Sequence, residues 1–139
     1  MKLKISNFKY EIILVLFIIS LISSIILSIP SVSDMCSVVG GCDIVHDCCY
    51  NYTFGILNSY FGILAFLFLS IITFFQIKKP SKIKRNTIHL GTILGSIFAL
   101  WFIYLQQFVI GAYCQYCLVV DFSLLIALGI IIFNWRDKK

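Results

Sequence analysis

The chain has 139 residues, of which 60% are hydrophobic and only 12% are charged. Soluble domains average roughly 45–50% apolar and about 25% charged residues, so this composition excludes a water-exposed globule. The net charge is +5, yet no Lys or Arg occurs between residues 10 and 77. Because the basic residues are confined to short segments, we attribute the charge to membrane topology and expect no nucleic-acid partner.

Long apolar runs dominate the sequence. At ~1.5 Å per residue each run extends about 27 Å or more, close to the ~30 Å hydrocarbon core of a bilayer. The first run is too long for the apolar part of a signal peptide, so we expect it to remain as a helix. The sequence predicts an all-α, integral membrane four-helix bundle forming a single domain over residues 1–139. The expected spans are about 11–30, 56–77, 87–110 and 112–135.

The basic residues all fall on one side of these spans. They precede the first span, fill the link between the second and third, and follow the fourth, at Lys2, Lys4, Lys9, Lys78, Lys79, Lys82, Lys84, Arg85, Arg136, Lys138 and Lys139. Loops rich in Lys and Arg stay in the cytoplasm. We therefore expect a multi-pass protein of the cell membrane with both termini cytoplasmic and the loop 31–55 facing outward.

The cysteines sort to the opposite side. All of them fall in the outward loop or in a second outward segment, 111–117, at Cys36, Cys42, Cys48, Cys49, Cys114 and Cys117. Disulfides form and persist outside the cytoplasm. Structural bridging is one interpretation, but the C-x-x-C spacing of Cys114 and Cys117 favours thiol–disulfide exchange. We expect both sulfurs in the first turns of the fourth helix, where the helix dipole stabilises a thiolate.

Three polar side chains are expected near one depth in the bilayer. Counted at ~1.5 Å per residue from the cytoplasmic ends, Cys117, Asn58 and Tyr104 lie within about 3 Å of each other along the membrane normal. A shared cavity there suits a lipid-soluble electron acceptor, namely a quinone such as menaquinone, ubiquinone or a relative. Asn58 is a candidate donor to a quinone carbonyl, although a helix–helix contact explains it equally well.

Asp121 is the one ionisable residue deep in a span, one turn from Cys117. Intramembrane carboxyl groups are costly and usually functional. Asp121 is a candidate quinone ligand, a candidate proton source, or a protonated partner for a Ser or Gln of a neighbouring helix.

The outward loop carries a second candidate redox pair. Cys36 and Cys42 flank a flexible stretch that ends in two glycines. After Asp43, a possible N-cap, the apolar residues fall on one face of a short helix that we expect to rest at the membrane interface, namely Ile44, Val45, Cys48, Cys49 and Tyr52.

Taken together, these features resemble the vitamin K epoxide reductase family and its microbial homologues. The resemblance is carried by the loop cysteines, by the stretch from Asn58 to Gly62 that opens the second helix, and by the C-x-x-C of the fourth. It implies that Cys36 and Cys42 are a shuttle pair and that Cys114 exchanges with Cys42. It further implies that Cys117 faces a quinone and that Asn58 hydrogen-bonds it.

The resemblance also implies a function, with departures. Electrons would pass from a separate, reduced, extracytoplasmic thioredoxin-like protein to a quinone and so support disulfide formation, with vitamin K quinone or its epoxide as further candidate substrates. Cys48 replaces a usual Ser, and Asp121 replaces the Tyr of vertebrate members. The DsbB family places its C-x-x-C in the first outer loop, which is the reverse order. A metal-binding or purely structural membrane protein is the remaining alternative, and we expect no metal site.

The one-sided sorting of basic residues yields a topology test. In a variant without native cysteines, Ser81→Cys should not react with an impermeant maleimide in intact cells, but should react after permeabilisation. Ser33→Cys in the loop should react in both conditions. Labelling of Ser81→Cys from outside would contradict the orientation.

Overall fold

A computed structural model describes residues 2–29, 52–53 and 55–136 of the chain, with side chains for 8–29 and 55–133. Helix α1 covers Lys2–Leu27, and a two-strand ladder of β1 (Tyr52–Thr53) and β2 (Ile56–Leu57) follows. Helices α2 (Asn58–Lys78) and α3 (Lys82–Tyr104) come next; a π-helical segment, Leu105–Ile110, extends α3, and α4 covers Gln115–Arg136. Four of these helical stretches are long and apolar enough to cross a membrane, which confirms the predicted four-helix membrane bundle.

The helices form a ring in which chain neighbours are also neighbours in space. Helix α1 packs against α2 and α4, and α3 packs against α4 and α2. Only residues 79–81 separate α2 from α3, and Pro80 among them cannot continue a helix. Residues 111–114 make a similarly short turn into α4. Such short links bring the C-terminal end of α3 beside the N-terminal end of α4.

Small residues let the helices approach closely around the core. A Cβ atom built on Gly91 would lie 2.7 Å from Cδ2 of Leu69, and one on Gly95 would lie 3.1 Å from Cδ2 of Leu124. In lipid, close packing of this kind drives helix association because burying apolar area gives no advantage there. The core consists of Ile13, Phe17, Phe66, Leu69, Ile88, Ala99, Leu124, Ala127 and Ile131.

Two details of the fold differ from the prediction. Tyr52 was expected on a short helix, but it belongs to β1 and pairs with Leu57. Between the two strands the chain reverses direction at Gly55. This residue has φ +79°, a conformation that β-branched and bulky residues disfavour. The rest of that expected helix lies outside the described residues. In addition, α3 begins at Lys82 and not near residue 87, because the basic residues of the link form its first turn.

The packing at Gly91 predicts a stability difference between two glycines. Gly91→Ala should lower the free energy of unfolding by about 1–3 kcal/mol, since the new methyl group overlaps Leu69. Gly129→Ala, with nothing within 4 Å of its Cβ position, should leave stability unchanged or raise it by up to about 1 kcal/mol. Unfolding titrations in mixed detergent micelles measure both. Equal effects would show that α2 and α3 do not approach this closely.

Candidate functional site

Cys114 occupies the N-cap position of α4. Its carbonyl oxygen accepts the first hydrogen bond of the helix from the N–H of Leu118, at 3.0 Å. Its Sγ accepts the N–H of Cys117 at 3.3 Å, as the side chain of an N-cap residue does. Cys114 is 1% exposed, whereas Cys117 is partly exposed. The two sulfurs therefore share one helical turn in different surroundings.

This arrangement favours the thiolate form of Cys114, which lies between the membrane spans. The hydrogen bond with the Cys117 side chain lowers the pKa of Cys114 below its ordinary value, and the N–H groups of Cys117 and Tyr116 add to the effect. Burial of the sulfur opposes the shift but does not cancel it. Both cysteines are free thiols in this structure. Cys114 thus has the character of a reactive thiolate or of a good leaving group.

Gln106 holds the turn that leads into this pair. Its Oε1 accepts the backbone N–H of Cys114 at 3.0 Å, and its own carbonyl oxygen accepts the N–H of Gly111 at 3.0 Å. The second bond spans five residues, which is the spacing of a π-helix. Gly111 has φ +68°, a conformation that glycine adopts without strain. One residue therefore fixes both the end of α3 and the start of α4.

A cavity opens beside this turn, between the ends of all four helices. Its volume is about 530 Å³, and its walls are largely apolar. The lining residues of α4 are spaced i, i+3, i+4 and i+7, so they lie on one face of that helix. The lining residues of α3 also form one face, which continues into the π-helical segment. The lining residues are Ser24, Leu27, Asn58, Ser59, Phe61, Gly62, Ala65, Phe66, Gly95, Phe98, Ala99, Phe102, Leu105, Gln106, Ile110, Cys117, Val120, Asp121 and Leu124.

The structure brings Cys117, Asn58 and Asp121 together at this cavity. Cys114 is not among the lining residues, so of the C-x-x-C pair Cys117 is the sulfur that faces the cavity. Asp121 is 4% exposed, and its Oδ2 finds no hydrogen-bond partner within the described part of the chain. The pairing with a neighbouring Ser or Gln that the sequence allowed is therefore not seen there. A buried carboxyl oxygen without a partner is costly.

Tyr104 does not join them, and the expectation of a shared cavity was wrong for this residue. Its ring stacks on Trp101, with centroids 5.9 Å apart, and lies 5.2 Å from the ring of Phe108. Its side chain is 49% exposed on the outer surface of the bundle. The prediction considered depth but not rotation: two residues along an α-helix turn the side chain by about 200° from that of Phe102, which lines the cavity.

Sequence reasoning missed Gln106 and Ser59. Ser59 lines the cavity next to Asn58, and its buried Oγ lacks a partner among the described residues. Gln106 is 2% exposed. A signal for it existed, because Gln106 lies four residues after Phe102 and interrupts an apolar run. The loop cysteines Cys36, Cys42, Cys48 and Cys49 lie outside the described residues.

The cavity fits a quinone headgroup. Its volume falls in the range of about 300–1,000 Å³ that small-molecule sites occupy, and its apolar walls suit an aromatic ring. Asn58 and Gln106 carry amide groups, which suit the carbonyl oxygens of such a ring. The Oδ2 atom of Asp121, which has no partner among the described residues, is a polar atom that such a ligand would satisfy.

Four membrane-length helices around a cavity, with a free cysteine pair at its edge, define a multi-pass membrane protein with a candidate redox site. Comparison with protein families gives the same answer: the sequence model of the vitamin K epoxide reductase family matches residues 11–132. A search of curated proteins and a search of solved structures returned no significant match. The chain belongs to the vitamin K epoxide reductase family, and it is accordingly a membrane oxidoreductase of a quinone-linked family.

The N-cap geometry predicts how Cys114 titrates. In a variant with the four loop cysteines replaced by Ser, Cys117→Ala should raise the pKa of Cys114, because the largest stabilising hydrogen bond is lost. Gln115→Ala, an exposed change between the two cysteines, should leave that pKa in place. The pH dependence of thiolate absorbance at 240 nm measures the midpoint. An unchanged midpoint in Cys117→Ala would rule out this stabilisation.

Proposed function

We propose that the protein is a quinone-dependent thiol–disulfide oxidoreductase that supports disulfide formation outside the cytoplasm. Electrons pass from a separate, reduced thioredoxin-like protein to Cys36 and Cys42, then to Cys114 and Cys117, and finally to a lipid quinone. The proposal places both termini in the cytoplasm and the cysteines on the outer face, in line with the sorting of basic residues.

One observation carries this proposal. Cys117 and Asp121, one helical turn apart, line the same apolar cavity as Asn58, while Cys114 stays out of that lining. A disulfide pair that only stapled the bundle would have no need of a cavity at one sulfur. A pair that connects a protein partner to a lipid-soluble acceptor needs one sulfur at the acceptor and the other outside its cavity, and the different positions of Cys117 and Cys114 support that division.

The exchange steps follow from the different surroundings of Cys114 and Cys117. With Cys114 and Cys117 oxidised, the thiolate of Cys42 attacks the sulfur of Cys114, which forms a Cys42–Cys114 bond and releases Cys117 as a thiolate. Attack of Cys36 on Cys42 then forms the Cys36–Cys42 disulfide and releases Cys114. The lowered pKa of Cys114 favours this second step, because a thiol of lower pKa leaves faster. The thioredoxin-like partner afterwards reduces Cys36–Cys42 by the same chemistry.

The last step regenerates the disulfide of α4. Oxidation of the two thiols releases two electrons and two protons, and a quinone that accepts them becomes a hydroquinone. Asn58 would donate a hydrogen bond to a carbonyl oxygen of the ligand. Asp121 would hold a proton at its carboxyl group, because a buried carboxyl without a charged partner is far less costly neutral than ionised. The surrounding aromatic side chains exclude water from this transfer.

Quinone reduction by purified protein tests the proposal. With a reduced thioredoxin-like donor, the wild-type protein should convert a short-chain menaquinone or ubiquinone to its hydroquinone under anaerobic conditions. Asp121→Asn should lower the turnover by about 10²-fold or more, as loss of a general acid does. Ser123→Ala, a buried change two residues along the same helix and outside the cavity lining, should keep it within about threefold. Full turnover in Asp121→Asn would show that this residue does not supply a proton to the quinone.

The relay predicts a trapped intermediate. In Cys117→Ala the Cys114 thiolate can attack an oxidised Cys36–Cys42 disulfide, which forms the Cys42–Cys114 bond and releases Cys36. Because no Cys117 is present to resolve this bond from the cavity side, the Cys42–Cys114 disulfide should accumulate. Proteolysis in the basic link between α2 and α3 should then leave the two halves joined until reductant is added. In the Cys114→Ala control the halves should separate without reductant. Free separation in Cys117→Ala, with turnover retained, would contradict the route from loop to helix.

A further inference from the structure

The side-chain amide of Gln106 has a fixed orientation. The atom 3.0 Å from the Cys114 nitrogen must be Oε1, because a backbone N–H can only donate a hydrogen bond. The Nε2 group therefore occupies the other end of the amide. Gln106 also lines the cavity that a ligand would enter.

Among the described residues, no hydrogen bond from this donor end is seen. Within residues 8–29 and 55–133, the side chain of Gln106 makes one hydrogen bond, through Oε1 to Cys114. The residue is nevertheless 2% exposed. An amide N–H with little access to water is stabilised by a hydrogen bond to a ligand oxygen.

A second glutamine shows that a glutamine can stabilise a turn without lining the cavity. Gln76 lies near the end of α2, is 5% exposed, and accepts the N–H of Ser81 at 3.0 Å through Oε1. It thereby holds the turn into α3 as Gln106 holds the turn into α4. Gln76 does not line the cavity, whereas Gln106 does.

We propose that Gln106 is a ligand-binding residue whose Nε2 group donates a hydrogen bond to a carbonyl oxygen of the quinone in the cavity. The inference rests on the proposed function. It adds a donor on the α3 side of the cavity to Asn58 on α2 and Asp121 on α4, so that polar groups from three helices surround the ring. The same amide then contacts both the ligand oxygen and the backbone of Cys114.

The test compares two ligands of one shape. Menadione has two carbonyl oxygens, and 2-methylnaphthalene has the same rings and methyl group but no oxygen. Their dissociation constants are measured by equilibrium dialysis against oxidised protein in nanodiscs, where no electrons are available for reaction. Gln106→Met preserves the length of the side chain and removes the amide. It should weaken menadione binding about tenfold and leave 2-methylnaphthalene within about twofold.

Two matched controls separate binding from structure. Gln107→Met changes the exposed neighbour, whose Oε1 accepts the hydroxyl of Tyr113, and Gln76→Met removes the equivalent turn bond elsewhere. Both should keep the menadione affinity of the wild type, although Gln76→Met should unfold more easily. An unchanged menadione affinity in Gln106→Met, or an equal loss of both ligands, would overturn the inference.

A measurement on the unaltered side chain covers the case in which Gln106→Met does not fold. With ¹⁵N-labelled glutamine amides, the signal pair that survives replacement of Gln76, Gln107 and Gln115 in turn belongs to Gln106. Menadione should shift it and 2-methylnaphthalene should not; equal shifts would overturn the inference. If the wild-type protein reduces quinone but the Gln106 signals respond equally to the two ligands, only this inference fails. If the wild-type protein neither reduces quinone nor binds menadione in preference to 2-methylnaphthalene, the proposed function fails as well.

Discussion

The hydrogen bonds around Cys114 fix the geometry on which the site depends. Gln106 accepts its N–H, Leu118 donates to its carbonyl oxygen, and Cys117 donates its N–H to the sulfur. The N–H groups of Cys114 and Cys117 have no acceptor within the helix itself, and because lipid cannot supply one, the protein must satisfy these donors itself. Because the sulfur of Cys114 caps the helix, the following turn directs Cys117 toward the cavity. The separation of the two thiols is thus a consequence of how α4 begins.

Polar side chains in the spans fall into two groups. Thr73 and Thr92 are buried, and each hydroxyl donates to the carbonyl four residues earlier at 2.7 Å; Ser96 donates to the carbonyl of Leu124 across the α3–α4 contact at 3.3 Å. These residues are satisfied within the bundle and support packing. Asp121 and Ser59, in contrast, have buried oxygens without partners in the described structure and line the cavity. Ser20 and Ser70 also have unpartnered oxygens, but they do not line the cavity, and a hydroxyl is far less costly to bury than a carboxyl.

The sequence predicted the fold because apolar length decides it: runs long enough to span a bilayer in one chain leave few alternatives to a helical bundle. It also indicated Cys117, Asn58 and Asp121, because thiols, amides and carboxyls are conspicuous among apolar residues. The direction in which each side chain points around its helix axis was harder to predict from the sequence. Tyr104 is exposed on the outer surface of the bundle, whereas Gln106, two residues later, lines the cavity. The turn at Tyr52 was missed because its apolar spacing fits a helix, and only the positive φ of Gly55 shows the reversal.

The location of the quinone is the central claim, and photolabelling tests it most directly. An azido-quinone irradiated with the protein in nanodiscs should attach to cavity residues of α2 and α4, between Asn58 and Phe66 and between Cys117 and Leu124. Excess unlabelled quinone should prevent this attachment, and mass spectrometry of the peptides locates it. Attachment confined to the outward surface formed by Trp101, Tyr104 and Phe108, without competition, would show that quinone meets the protein only from the surrounding lipid and would contradict the account.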